Sequence, residues 1–444
     1  MNRRTFALTV ALGLASGLAA PGAQAIPAFA RQTGQNCNAC HVSFPELTPY
    51  GRYFKLSGYT LGKRISAYPE DVPLAVMAQV GVTSTKNNTY SDGSHVDPYN
   101  SKAELQMASV FLGGKATDHI GGFVQWTYNG IAQQFGSDNT DLRVVNTYVA
   151  PGGKEPDLIY GLTVNNNPTS QDVWNSTPAW GFPYTFTGTG IGPVYPAATQ
   201  IEGALAQEVA GIGGYAFWKR SLYAEFTAYR TADGLFSVFH LGHDSDATSR
   251  PYVQGYNPYW RLAYNKEWGP NSFEVGTFGM ITDRFADGSN GGPTDRYKDI
   301  GIDAQYQYIT DVHTWTGQVS LIHENQDWNM SFPAGSTSNP SDNLRDFRAK
   351  VSYWYKHKYG ATLGYFAGTG SSDATLFGSS LNGQPDTNGM IYEADYMLTD
   401  YIRLMAQYVA FNKYLGGSSY LDPAGGVRSA KDNNSLFLNV WFAF

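Results

Sequence analysis

The sequence predicts an all-β fold, an outer-membrane β-barrel of about 16 antiparallel strands, with a small α-helical segment ahead of it. Three observations predict this. From Leu74 onward, segments of about ten residues alternate apolar and polar side chains, the period of a strand with lipid on one face and water or polar protein on the other. The connections between those segments alternate between short and long, as short periplasmic turns and long extracellular loops do. The composition agrees. Aromatic residues make up 15% of the 444 and charged residues another 15%, against about 25% charged in an ordinary soluble domain. Glycine is abundant at 49, and mean hydropathy is −0.33. After the N-terminus no apolar run approaches the ~20 residues a membrane helix needs, so helical spans are excluded.

Residues 1–25 read as a cleaved export signal. Arg3 and Arg4 form its positive start, Ala7 to Ala20 its apolar stretch, and Ala23-Gln24-Ala25 an A-x-A cleavage site, so the mature chain is expected to begin at Ile26. The Arg-Arg pair also suits twin-arginine export. The Sec route is preferred, because barrel insertion acts on unfolded chains. The formal charge of −7 becomes two units more negative on cleavage, which argues against nucleic acid and favours cationic ligands.

Residues 26–61 form a small unit around Cys37-Asn38-Ala39-Cys40-His41, a C-x-x-C-H motif. Two thiols three positions apart on a helical turn can each add across a haem vinyl group, and the next histidine then serves as an axial iron ligand. The motif uses both cysteines of the chain, so none is left for a disulfide, and it lies just behind the export signal. One covalent haem c is therefore the expected cofactor, and the segment reads as a c-type cytochrome. Thr33 is a candidate cap for the turn carrying the motif, and Phe44-Pro45 should end it. Thr48 caps a second helix that has Pro49 at its first position and Gly58 just past its end. Phe44, Tyr50, Phe54 and Tyr59 are candidates to cover the haem plane, and Arg52 and Lys55 to pair with its propionates. So few residues bury little core alone. The haem or an enclosing barrel must supply the missing apolar surface.

The run Ile26-Pro27-Ala28-Phe29-Ala30-Arg31-Gln32-Thr33-Gly34, the C-x-x-C-H, then Phe44-Pro45-Glu46-Leu47-Thr48-Pro49-Tyr50-Gly51-Arg52 and Phe54-Lys55-Leu56-Ser57-Gly58-Tyr59 resemble the N-terminus of the fused monohaem cytochrome–porins. These outer-membrane proteins include iron oxidases. The likeness is close over residues 26–60 and architectural beyond them. It implies a haem segment followed by a porin of about 16 strands.

Residues 62–73 read as a linker and 74–444 as the barrel. In one segment Ile300, Ile302, Ala304, Tyr306 and Tyr308 oppose Gly301, Asp303, Gln305 and Gln307. In a second, Phe347, Ala349, Val351, Tyr353 and Tyr355 oppose Arg348, Lys350, Ser352, Trp354 and Lys356. In a third, Ile120, Val124, Trp126 and Tyr128 oppose Gln125, Thr127 and Asn129. Strand starts are expected near residues 74, 102, 119, 142, 156, 204, 221, 257, 271, 297, 313, 344, 360, 389, 401 and 434. Long loops are expected near 87–101, 131–140, 166–203, 232–256, 284–296, 327–343, 371–388 and 414–432. This places both chain ends and the haem segment on the periplasmic side, in the lumen or across its mouth. Phe444, closing a strand with Leu436, Leu438, Val440 and Phe442 on one face, resembles the outer-membrane insertion signal.

Residues 26–73 hold no methionine and no histidine besides His41, so a second axial ligand must come from the barrel or from water. Met77 and Met107 are the nearest methionines in sequence, and His95 and His119 are further options. His240, His243, Asp244 and Asp246 in a long loop are candidate Fe(II) ligands, with Asp92, His95 and Asp97 a weaker set. No hydrolase or nucleotide motif is present. The expected function is electron transfer from an extracellular donor, Fe(II) foremost, through the haem to a periplasmic cytochrome c or similar carrier, possessing at most an Fe(II):cytochrome c oxidoreductase activity. The alternatives are exchange with another extracellular metal, a mineral or an electrode, and a diffusion porin with a haem-bearing plug.

Overall fold

A computed structural model describes residues 28–64, 73–193, 195–242 and 251–443. The signal sequence, most of the linker, and His243, Asp244, Asp246 and Phe444 lie outside the described residues.

Among the described residues, sixteen antiparallel strands close into one barrel. They are β1 (Leu74–Thr85), β2 (Ala103–Lys115), β3 (Ile120–Asn129), β4 (Gln134–Tyr148), β5 (Leu158–Asn165), β6 (Val209–Trp218), β7 (Leu222–Thr231) and β8 (Asn257–Trp268). Then follow β9 (Asn271–Phe285), β10 (Thr294–Ile309), β11 (His313–Asp327), β12 (Ser341–Tyr355), β13 (Tyr359–Gly370), β14 (Thr387–Thr399), β15 (Ile402–Lys413) and β16 (Ser435–Ala443). Each strand pairs with its neighbours in sequence, and β16 returns to β1 with Ser435 opposite Thr85. Closure leaves no unpaired edge, the condition for strands in a bilayer.

The alternation sorts side chains as the sequence predicts. Ile300 and Ile302 are more than half exposed on the outside of β10, while Asp303, Gln305 and Gln307 are buried inside. The outer surface carries Leu162, Phe226, Leu262, Val351 and Leu438, an apolar band suited to lipid. Exposed Tyr148, Trp218, Trp268, Trp315, Tyr355 and Tyr359 ring one end, that of the short turns, as an interfacial aromatic belt would. This is the fold of an outer-membrane barrel.

Two expectations are corrected. β4 begins at Gln134, eight residues before the predicted start near 142, and the long loop predicted at 131–140 shrinks to a tight connection. Its first residues, Gly136-Ser137-Asp138-Asn139, have poor strand propensity, and pairing with β3 from Asn129↔Gln134 overrides it. The stretch 166–203 is no exterior loop. With the residues up to β6 it folds into the lumen, where Thr169, Ser170, Asp172, Trp174, Thr177 and Thr199 are buried. Its polar groups find partners on the inner wall. Thr185 Oγ1 donates to Gln79 at 2.7 Å, Tyr195 OH to the Phe347 carbonyl at 2.8 Å, and Trp174 Nε1 to Asn265 at 3.2 Å. A wall of hydrogen-bonding side chains satisfies an irregular backbone that lipid could not.

Candidate functional site

The N-terminal segment enters the lumen at the short-turn end. It comprises α1 (Ala28–Thr33), α2 (Cys37–Cys40) and α3 (Pro49–Leu56), with a two-stranded ladder pairing His41–Ser43 with Glu46–Leu47. The expected caps of α3 are present. Thr48 Oγ1 accepts from Gly51 N at 3.2 Å, Pro49 opens the helix, and Gly58 follows with φ +64. Thr33 does not cap the motif turn. It ends α1, its hydroxyl bonding back to the Phe29 carbonyl at 2.7 Å, and Asn36 stands before α2 without a side-chain bond.

α2 is one turn, held against α3 by the backbone. Thr48 N donates to Cys40 O at 2.9 Å, and Thr48 Oγ1 donates to Ala39 O at 2.5 Å. Gly51 sits so close that a Cβ there would lie 2.2 Å from the Cys40 carbonyl oxygen. Only glycine lets the two helices approach this far. Cys37, Cys40 and His41 are half-buried. Burial raises both thiols, Cys40 to about 11. Burial also lowers the His41 imidazole to about 4, so it is neutral at physiological pH, although the Pro45 and Glu46 backbone pulls the other way. His41 Nδ1 lies 3.3 Å from the Pro45 carbonyl oxygen, and its ring packs 5.3 Å from Phe44, which in turn leans 6.1 Å from Trp441.

Cys37, Asn38, His41, Val42, Ser43 and Phe44 form one wall of a cleft of about 220 Å³. The barrel forms the other, through Lys356, His357 and Lys358 of the β12–β13 turn and Met397, Leu398, Thr399 and Asp400 at the β14–β15 turn. These barrel residues were not legible in the sequence, where they lie more than 300 positions from the motif. Met77 and Met107 do not line the cleft. Met77 is buried on β1, and Met107 Sδ accepts from Gln79 Nε2 at 3.5 Å.

Arg52 and Lys55 point elsewhere, as a correction to their expected pairing with propionates. Both are buried. Arg52 donates to Gln305 at 3.1 Å, Gln307 at 2.5 Å and Ser272 at 2.8 Å. Lys55 Nζ donates to the carbonyls of Ser170 and Asp172 at 2.6 and 2.7 Å, in surroundings whose burial lowers it to about 7. Phe54 and Tyr59 pack with Phe29, with ring centroids 5.0–5.8 Å apart, and Tyr59 OH donates to Asp141 at 2.7 Å. They fasten the segment to the barrel on the side away from the cleft. Tyr50 is exposed and close enough to Cys40 for the two to interact electrostatically. Glu46 is fully buried against Lys350 of β12, with Tyr184 OH donating to it at 2.6 Å. Burial alone would raise the Glu46 carboxyl, but the Lys350 ammonium outweighs it and holds it below the usual range.

Of the loop candidates, His240, Asp92, His95 and Asp97 lie within the described residues, and each has a partner of its own. His240 Nε2 pairs with Glu208 at 2.8 Å, Asp92 accepts from Ser94, and Asp97 accepts from Tyr99 N. His95 Nδ1 lies against the Asn88 carbonyl and His119 Nδ1 against that of Val145. Among the described residues no group of three or more His, Cys, Asp or Glu side chains is arranged to hold a metal ion.

No family model and no curated protein matches the chain. Among solved structures it is similar to OmpTΔL8, a loop-deletion mutant of an outer membrane protein of Vibrio cholerae, at 11% identity and a TM-score of 0.47, covering 84% of this chain and 98% of that one. It is similar to the outer membrane channel DcaP of Acinetobacter baumannii at 12% identity and TM-score 0.46, over 84% and 96% of the two chains. It is likewise similar to an anion-selective porin from Comamonas acidovorans at 12% identity and TM-score 0.46, over 84% and 98%.

Proposed function

We propose that the N-terminal segment carries one covalent haem c at the short-turn mouth of an outer-membrane barrel and passes electrons from an external donor to a periplasmic carrier. The observation that carries this reading is the cleft itself. Cys37 and His41 of a C-x-x-C-H turn face a space walled on the far side by the barrel. The residues suit the group. The thiols are unpaired, His41 is neutral with Nδ1 engaged by a carbonyl so that Nε2 is left for iron, and Phe44 and Met397 offer apolar surface. Lys356 and Lys358 at the cleft, in place of Arg52 and Lys55, are the cations that propionates would meet. The bound haem would supply a one-electron carrier, matched to Fe(II) oxidation. The chain's part would be to hold it at the short-turn mouth through Cys37, Cys40 and His41.

The packing favours this over a diffusion porin. The internal loop and α3 meet across the lumen. Leu56, Val173, Trp174, Tyr215, Phe217 and Tyr223 share one buried cluster, and Lys55 bonds the loop backbone directly. A pore filled in this way should not pass a large steady current.

The position also discriminates among donors. β14 is 13 residues long, and at a rise of ~3.3 Å per residue and a tilt of ~40° it spans roughly 30 Å. A group held in the cleft would lie that far from the long-loop rim. Tunnelling fails steeply with distance, so a solid electrode or mineral at the rim is a poor partner. A small soluble donor is a better one, and Fe²⁺ is the first choice. The test is anaerobic addition of Fe²⁺ at neutral pH to purified haem-loaded protein, followed by its absorption spectrum. Reduction of the haem is expected, and an oxidised spectrum after excess Fe²⁺ sinks the iron assignment.

A further inference from the structure

Resting on the haem reading above, the structure assigns the iron's second axial ligand to the barrel: we infer that it is His357 of the β12–β13 turn. Three observations converge on this side chain. It lines the cleft opposite His41. Its Nδ1 is buried and has no hydrogen-bond partner. A buried imidazole nitrogen without a partner calls for an explanation. Its backbone is held in place by the barrel. Lys356 N donates to Val312 O at 2.7 Å, Lys358 N to Tyr355 O at 3.0 Å, and Met397 N to Lys358 O at 2.9 Å. The turn that carries His357 is therefore tied to the neighbouring turns on both sides.

Met397 brings a competing thioether to the cleft, while Lys356, Lys358 and Asp400 bring charged groups that solvent or propionates would engage. Met397 lies where β14 departs from regular pairing with β15, a register shift between Met397 and Thr399. A methionine in a cleft is ordinarily accounted for by packing, and here it can cover the haem face. His357 brings to the same wall an imidazole, the ligand type of His41 itself. The assignment has a consequence. A bis-imidazole iron holds a lower potential than a histidine–methionine one, because methionine ligation raises it. It also ties the cytochrome segment to the barrel, so that the complete iron site exists only once the barrel has closed around its plug.

The test uses the full-length, haem-loaded protein in detergent. Haem content is read first by the alkaline pyridine assay. Wild type is expected to show a low-spin iron spectrum without the far-red methionine charge-transfer band. His357→Asn keeps a residue that tolerates the turn's φ of +52. It is expected to retain covalent haem and a heat-modifiable folded barrel on a gel, turn high-spin, bind CO when reduced, and return to low spin with added imidazole. Met397→Leu is expected to leave the spectrum low-spin. The assignment falls if the His357→Asn spectrum and CO reactivity are unchanged, or if wild type shows the methionine band and Met397→Leu removes it. Wild type without covalent haem would instead remove the reading on which the assignment rests.

Discussion

At the scale of single residues, Gly51 and His41 show how tightly the motif is set. A Cβ at Gly51 would meet the Cys40 carbonyl oxygen at 2.2 Å, and backbone cannot give way as a flexible side chain can. Gly51→Ala is expected to push α3 off the motif turn at a cost of about 1–3 kcal/mol, the range for overpacking, and to lower the fraction of barrel that carries covalent haem. Haem staining normalised to folded barrel measures this, and an unchanged ratio would refute it. Cys37→Ala with Cys40→Ala is expected to abolish covalent attachment outright while the barrel still folds. Both side chains are free thiols on α2, which is bonded to Thr48 at the start of α3. The motif, the Thr48 cap and the Pro49 start were legible because each is a local rule. The roles of Arg52 and Lys55 were not. Charge next to a haem motif suggests propionates, and only the fold turns them toward Gln305, Gln307 and the internal loop.

At the scale of elements, the N-terminal segment and the internal loop act as one plug fastened by buried charge. Glu46 and Lys350 are buried together, and Arg403 links the Glu393 and Asp395 carboxylates at 2.8 Å to the Phe44 carbonyl at 3.1 Å. Removing one partner of a buried pair leaves a charge without compensation, typically costing about 3–5 kcal/mol. Lys350→Met should therefore loosen the segment, seen as faster proteolysis before Leu74 in an intact barrel, and adding Glu46→Gln should restore part of the resistance. If the single and double variants are cut at the wild-type rate, the pair does not hold the plug. The internal loop escaped sequence reading for a physical reason. Its Ser, Thr, Asn, Gly and Pro content suits an exposed loop and an interior one equally, because the inside of a barrel is itself polar.

At the scale of the whole molecule, the filled barrel sets what can pass through it. Planar-bilayer recordings of the intact protein should show no wide steady channel. Shortening the internal loop by excising residues 178–193, which lie between its buried Trp174 and Tyr195 anchors, should open one. A large conductance in the intact, haem-loaded protein would return the diffusion reading to first place. The short-turn mouth holds the motif cleft, the start of β1, the end of β16 and the aromatic belt. A partner molecule approaching from that end would meet the cleft without entering the barrel.

The sequence by itself determined the barrel, its strand number, the sorting of its two faces and the five-residue motif. Each is written in short-range periodicity or spacing: a period of two, turns between segments, two thiols and an imidazole on one helical turn. The start of β4 escaped because pairing with a neighbour overrode weak local propensity. Only the tertiary structure decided that the 166–208 stretch turns inward, that Arg52 and Lys55 are structural, and that His357 and Met397 stand across from His41. Barrel closure brings together residues separated by hundreds of positions, and such contacts leave no local pattern in the chain for a reader to find.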